Sequence, residues 1–203
     1  MKQLQFIFCT IISLFFISSV HADTNINSHF GFKAKLPDSW IIINPKMPSE
    51  SIKTSDFPPG MDSKVAQLIK QRLQNGNIEF YYDKNYLEKK NPNYISVQKG
   101  PAIFIPSQAI EPYCKLLPAK LGKIYGEKPI IHSCVMLKNY KYPIFNHSYT
   151  INSTNLTIIS DSVPINSEES LMITSSSSND KAGRDRVKKV RRILVNAISG
   201  AYQ

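Results

Sequence analysis

Glycine is scarce in this chain, with 8 among 203 residues, as are histidine with 4, cysteine with 3 and tryptophan with 1. The scarcity excludes several chemistries. There is no Gly-x-Ser-x-Gly elbow, no Gly-rich phosphate loop and no His-Glu-x-x-His pair, so the common hydrolase and nucleotide-binding signatures are missing. Acidic residues are also few, 15 against 25 lysines and arginines. Pairs such as Glu168 with Glu169 fall in an apparent turn, where solvation explains them. Internal repeats are absent. Beyond residue 22 no apolar run approaches the roughly 20 residues a membrane helix needs.

The one long apolar run is at the start. Met1 to Ala22 carries Lys2 as its only charged side chain, is apolar from Phe6 to Val20 and ends in Val20-His21-Ala22. A short apolar core followed by small residues is the pattern of a cleavable secretory leader, and cleavage is expected between Ala22 and Asp23. Ser13, Ser18 and Ser19 dilute the run, which argues against a membrane anchor. Cys9 lacks the small residues that precede a lipidated cysteine. The mature chain, residues 23–203, is long enough for one domain with a sizeable core, and it is expected in the periplasm or secreted.

After a polar lead-in from Asp23 to His29, Phe30, Phe32, Ala34 and Leu36 alternate with polar neighbours. Pro37-Asp38-Ser39 then turns the chain into Trp40 to Ile43, which reads as a β-hairpin with Trp40 as a core anchor. Pro45 to Gly60 is a loop. Asp62 is placed to cap a helix whose stripe is Val65, Leu68, Ile69 and Leu73, and Asn75-Gly76 supplies a left-handed stop. Strands follow at Ile78 to Tyr82, Tyr94 to Val97 and Ala102 to Ile105. Tyr81, Tyr82 and Tyr86, interleaved with Lys84, Lys89 and Lys90, suggest a stacking platform for single-stranded nucleic acid. Packing explains strand tyrosines better, and an export signal weighs against a nucleic-acid partner.

A short helix is expected from Glu111 to Leu121, with Pro112 in its first turn and Pro118 either breaking it or beginning a second turn. From Ile130 to Ser178 apolar residues alternate (Phe145, Tyr149 and Ile151; Leu156 and Ile158; Leu171 and Ile173), separated by turn-forming stretches, as in consecutive antiparallel strands. The last helix is the clearest. Asp180 is its candidate cap, and Val187, Val190, Leu194 and Ile198 form an apolar stripe widened by Ile193, Ala197 and Ala201. Lys188, Lys189, Arg191 and Arg192 make up the densest basic cluster. Solvation explains such a face by default, and an anionic envelope component or acidic protein is the partner it would suit.

Removing the leader leaves Cys114 and Cys134, an even number that reads as a disulfide in an oxidising compartment. The rival is a metal site. His132 and Cys134, two apart on one strand, would project to the same side, and Cys114 would add a third ligand, with no fourth evident. A catalytic thiol would need a free cysteine beside His132 or His147. No cofactor motif is present. Asn-x-Ser/Thr triplets begin at Asn146, Asn152 and Asn155 and bear glycans only where the source glycosylates its secreted proteins.

At Gly31-Phe32, Pro37 and Trp40 the chain resembles the opening of PsbP-like and Mog-type α/β/α proteins, and the order of elements continues the likeness over most of the mature chain. The resemblance implies an α+β fold, an antiparallel sheet between helices, used by non-enzymatic accessory and binding proteins. No functional residue carries over, because that family shares no catalytic set. The expected function is therefore an exported binding or accessory protein. The alternatives are a thiol- or metal-dependent protein centred on Cys114, His132 and Cys134, or an exported factor acting on host components.

Overall fold

The computed structural model describes residues 23–45, 63–86, 93–178 and 180–202. The leader up to Ala22, loop residues 46–60, the Asp62 cap, Lys89, Lys90 and the side chain of Val65 lie outside the described residues. The elements run β1 (Asp23–Asn27), β2 (Lys33–Pro37), β3 (Trp40–Ile43), α1 (Ser63–Gln74), β4 (Ile78–Asp83), β5 (Tyr94–Pro101), α2 (Ser107–Tyr125), β6 (Ile130–Leu137), β7 (Ile144–Ile151), β8 (Leu156–Pro164), β9 (Glu169–Ser178) and α3 (Lys181–Tyr202). A short 3-10 turn, Lys84–Tyr86, follows β4.

Seven strands form one antiparallel sheet in the order β3-β4-β5-β9-β8-β7-β6. Helix α2 carries the chain from β5 to the far edge at β6. The meander β6 to β9 then returns, so that β9 docks beside β5. Because side chains alternate along each strand, the sheet has two faces, and both are covered. On one face Ile95, Val97, Val163, Leu171 and Ile173 meet Val187, Val190, Leu194 and Ile198 of α3, together with Ile26, Phe30, Phe32 and Leu36. On the other, Leu73 of α1 packs on Ile78, Phe80 and Tyr82, while Leu117 and Leu121 of α2 pack on Tyr149, Ile151 and Ile158. The fold is α+β, an antiparallel sheet between helical layers.

Several local expectations change. The stretch from Phe30 to Ile43 is not a hairpin: β2 pairs with β1, and β3 pairs with β4 in the main sheet. The turn at Asp38-Ser39 moves the chain from one layer to the next, and alternation shows which side of a strand is apolar without naming its partner. The polar lead-in from Asp23 to His29 is accordingly ordered, since its first five residues are β1. Residues Ala102 to Ile105 form no strand. Helix α2 begins four residues earlier than expected and continues through both Pro112 and Pro118. Its buried Leu117 and Leu121 and its covalent tie to β6 offset the hydrogen bonds those prolines remove. Leu68 is half exposed, because the sheet side of α1 follows Ile69 and Leu73.

The helix ends match their residues. Gly76, at φ 69°, closes α1 with its N–H donating to Leu73 O and that of Asn77 to Arg72 O, the paired bonds of a Schellman stop. Asp180 caps α3, its Oδ1 accepting from the Gly183 N–H at 2.7 Å and from the Tyr86 hydroxyl at 3.0 Å. A Cβ at Gly183 would sit 2.6 Å from Ser178 Oγ and 2.9 Å from the Tyr86 ring, so that first turn has room only for glycine.

Candidate functional site

Two carboxylates with fully buried side chains face α3 from the sheet. Asp83 accepts from Arg186 Nε at 2.5 Å and Nη2 at 2.8 Å, and the same Nη2 reaches Ser39 Oγ at 2.7 Å. Asp161 accepts from Arg191 Nε and Nη2, both at 2.5 Å, and from Asn146 Nδ2 at 2.8 Å. These are bidentate, charge-assisted pairs that fix the helix on the sheet. Hydrogen bonding to Asp83 raises the Arg186 pKa above its ordinary value.

The basic cluster is thereby divided. Arg191 turns inward to Asp161 and has only 18% of its side chain exposed, whereas Lys188, Lys189 and Arg192 are exposed. Expecting all four on a solvated outer surface was wrong for Arg191, whose place beside Val190 and Leu194 brings it over β8. None of the other three is ion-paired among the described residues.

Beside this basic edge the sheet offers a polar floor. Helix α3 packs on β9, β8 and β5, and Arg184 and Lys188 from its first two turns stand beside β7 and β8. Ser148 and Thr150 of β7 share that face, and the register sets Thr150 opposite Thr157 and Ser148 opposite Ile159. His132 joins them through a bulge: the β6–β7 register shifts between Ile131 and Ser133, and the extra residue swings toward α3, where its Nε2 lies 2.7 Å from Thr150 Oγ1. His132, Ser148, Thr150, Thr157 and Ile159 with Arg184 and Lys188 enclose a cavity of about 450 Å³. Across Ile159 and Lys188 it continues into a depression of about 380 Å³ bounded by Lys189, Arg191, Arg192 and Asp185. The result is a continuous groove with hydroxyls on its floor, cations along one wall and Asp185 as the one carboxylate in its lining.

The bulge also separates the residues of the metal reading. Cys134 points to the α2 face and is bonded to Cys114, with 5.8 Å between Cα atoms, while His132 points to the α3 face. Strand alternation had placed His132 and Cys134 together, and one inserted residue undoes that. The disulfide closes a loop of about 20 residues. Replacing both cysteines by serine is expected to cost about 3 kcal/mol, lowering Tm by roughly 6 to 12 °C in a scanning calorimetry comparison. An unchanged Tm would mean that the bond contributes nothing. Among the described residues no group of three His, Cys, Asp or Glu side chains could hold a metal ion.

Tyr81, Tyr82 and Tyr86 are all buried, so no stacking platform forms there. Glu79, which no sequence pattern singles out, is fully buried and accepts from Ser28 Oγ at 2.8 Å, Tyr81 OH at 2.6 Å and the His29 N–H. Burial, then the Glu79 charge, pushes the Tyr81 hydroxyl well above its usual pKa. A larger cavity of about 760 Å³, lined by His29, Asn75, Lys99, Glu169 and Tyr202, lies at another end of the sheet. Its one lysine and one carboxylate face each other at 3.6 Å, so it carries little net field.

The chain matches no family model and no curated protein. Its fold is similar to a solved one. The solution structure of cyanobacterial PsbP from Synechocystis sp. PCC 6803 is 11% identical over 91% of this chain and 93% of that chain, with a TM-score of 0.47. The likeness is to the PsbP-like half of that resemblance and is one of fold alone. No helix among the described residues is long and apolar enough to cross a membrane.

Proposed function

We infer that the protein is an exported, non-enzymatic binding or accessory protein, and that the groove between α3 and the β7–β8 face receives an anionic component of the cell envelope. One observation carries the reading. The arginines that stabilise the fold, Arg186 and Arg191, are each consumed by a buried aspartate, while Lys188, Lys189 and Arg192 stand unpaired among the described residues beside a row of hydroxyls. Catalysis fits less well. His132 and Thr150 are within hydrogen-bond reach, but no carboxylate among the described residues orients the imidazole. The disulfide supports export and leaves neither sulfur as a thiolate.

Sedimentation with phosphatidylglycerol vesicles tests the groove. Each basic side chain at an anionic surface contributes about 1 kcal/mol, screened by salt. Binding is expected at low ionic strength, weaker at physiological salt, and lost in Lys188→Gln/Lys189→Gln/Arg192→Gln. Arg191 is left intact in that variant because its removal would damage the fold. Binding that survives the triple substitution places the site elsewhere. Export is checked by intact-mass measurement of the secreted form, which is expected to begin at Asp23. A species retaining Met1, or lipidated at Cys9, would overturn it.

A further inference from the structure

The groove has two parts of different chemistry. The outer part, at Lys189 and Arg192, is an exposed charged rim suited to any polyanion. The inner part, enclosed by His132, Ser148, Thr150, Thr157, Arg184 and Lys188, is concave and lined with short-range, directional donors. We propose that this inner pocket is a binding site for a phosphomonoester group, so that the protein captures a ligand bearing a terminal phosphate rather than merely adhering to negative charge. The proposal rests on the reading of the groove as an anion-binding surface and narrows it to a ligand class.

Backbone register builds the pocket. Thr150 and Thr157 are directly cross-strand, where Cβ atoms stand about 5 Å apart, and their hydroxyl oxygens are 3.4 Å apart. Ser148 lies two residues along the same strand and therefore on the same face. The bulge supplies His132, whose Nε2 is 2.7 Å from Thr150 Oγ1. Hydroxyls and an imidazole thus form a linked row that can turn its protons toward an acceptor, since a hydroxyl both donates and accepts. Lys188 and Arg184 flank the row from α3, and no carboxylate lines the pocket to compete with an anion. A phosphomonoester presents three terminal oxygens and close to two negative charges, matching this set of donors and cations. A phosphodiester headgroup has only two terminal oxygens and one charge, and a carboxylate is matched by a single arginine fork. Ile159 supplies the apolar edge past which the rest of the ligand would leave, toward the outer groove.

The test uses the mature chain, titrated with inorganic phosphate, glycerol 3-phosphate and, as the diester, glycerophosphoglycerol, and followed by amide and imidazole NMR shifts. Saturable shifts centred on His132, Thr150 and Thr157 are expected with the first two probes and weak, non-saturating ones with the diester. Thr150→Val keeps the side-chain shape and removes a hydrogen bond to a charged group, so affinity is expected to fall about tenfold or more. Thr157→Val serves the same purpose should the first variant unfold. Lys33→Gln, at an exposed lysine of β2 outside the groove, is expected to change phosphate affinity less than about threefold, the range of a screened surface charge. Non-saturating shifts, equal response to the diester, or affinity unmoved by both valine variants would overturn the phosphomonoester site. Vesicle binding separates the two ideas. If the triple glutamine variant loses vesicle binding while phosphate never saturates, the groove reading stands and this proposal falls. Saturable phosphate binding without any vesicle association would keep the pocket and remove the envelope surface.

Discussion

Leu194→Asp is expected to leave the domain unfolded, or its Tm lowered by tens of degrees, while Arg192→Asp two residues earlier shifts Tm by no more than a few degrees. Leu194 is fully buried in the core shared by α3, the sheet and the β1–β2 hairpin, whereas Arg192 is exposed. The aspartate would forfeit about 2 to 5 kcal/mol of packing and add several kcal/mol for an unpaired buried charge. The sum rivals the roughly 5 to 15 kcal/mol that holds a domain together. Circular dichroism melts of both variants decide the matter. Similar midpoints would show that α3 does not dock on the sheet through that stripe.

The second large effect concerns the pair that sequence inspection takes for surface charge. Arg191→Met is expected to cost about 3 to 5 kcal/mol, because it strands Asp161 without a counter-charge in a site from which water is excluded. At a chain length near 200 this amounts to a fall in Tm of roughly 6 to 20 °C. Adding Asp161→Asn is expected to restore most of the loss, since the asparagine oxygen can still accept from Asn146 and no charge remains buried. The pattern distinguishes a stranded charge from lost packing, which the second substitution would not repair. Arg191→Met with the parent's stability would mean that the guanidinium belongs to the solvated face after all. Lys188→Met and Lys189→Met are the controls and are expected within about 0.5 kcal/mol of the parent.

The candidate site shows how far a linear reading reaches. Lys188 and Lys189 were visible as a cluster on an amphipathic helix, and nothing beyond helical phase was needed to place them outside. The floor beneath them was not visible. Ser148, Thr150 and Thr157 look like ordinary strand hydroxyls until the β7–β8 register sets them together. Alternation puts His132 beside Cys134, and a bulge cannot be inferred from the alternation that it interrupts. A charge at an inward strand position, as at Asp161 between Ile159 and Val163, is the one signal that would have revealed the buried ion pair.

Local patterns determined the element types of α3, of the meander from β6 to β9 and of the Gly76 stop, because 3.6- and 2-residue periodicities and positive-φ glycines are properties of short windows. They also determined the antiparallel α+β class, since consecutive strands joined by turns leave no room for crossover helices. Tertiary structure alone decided that β3 leaves β2 for β4, that β9 lies beside β5, and that α2 runs through two prolines. It alone decided that Arg191 faces inward while Lys188 faces a groove. These are choices among partners far apart in the chain. They are settled by which apolar faces can be buried together and which buried charges can be paired, and no window of neighbouring residues contains that information.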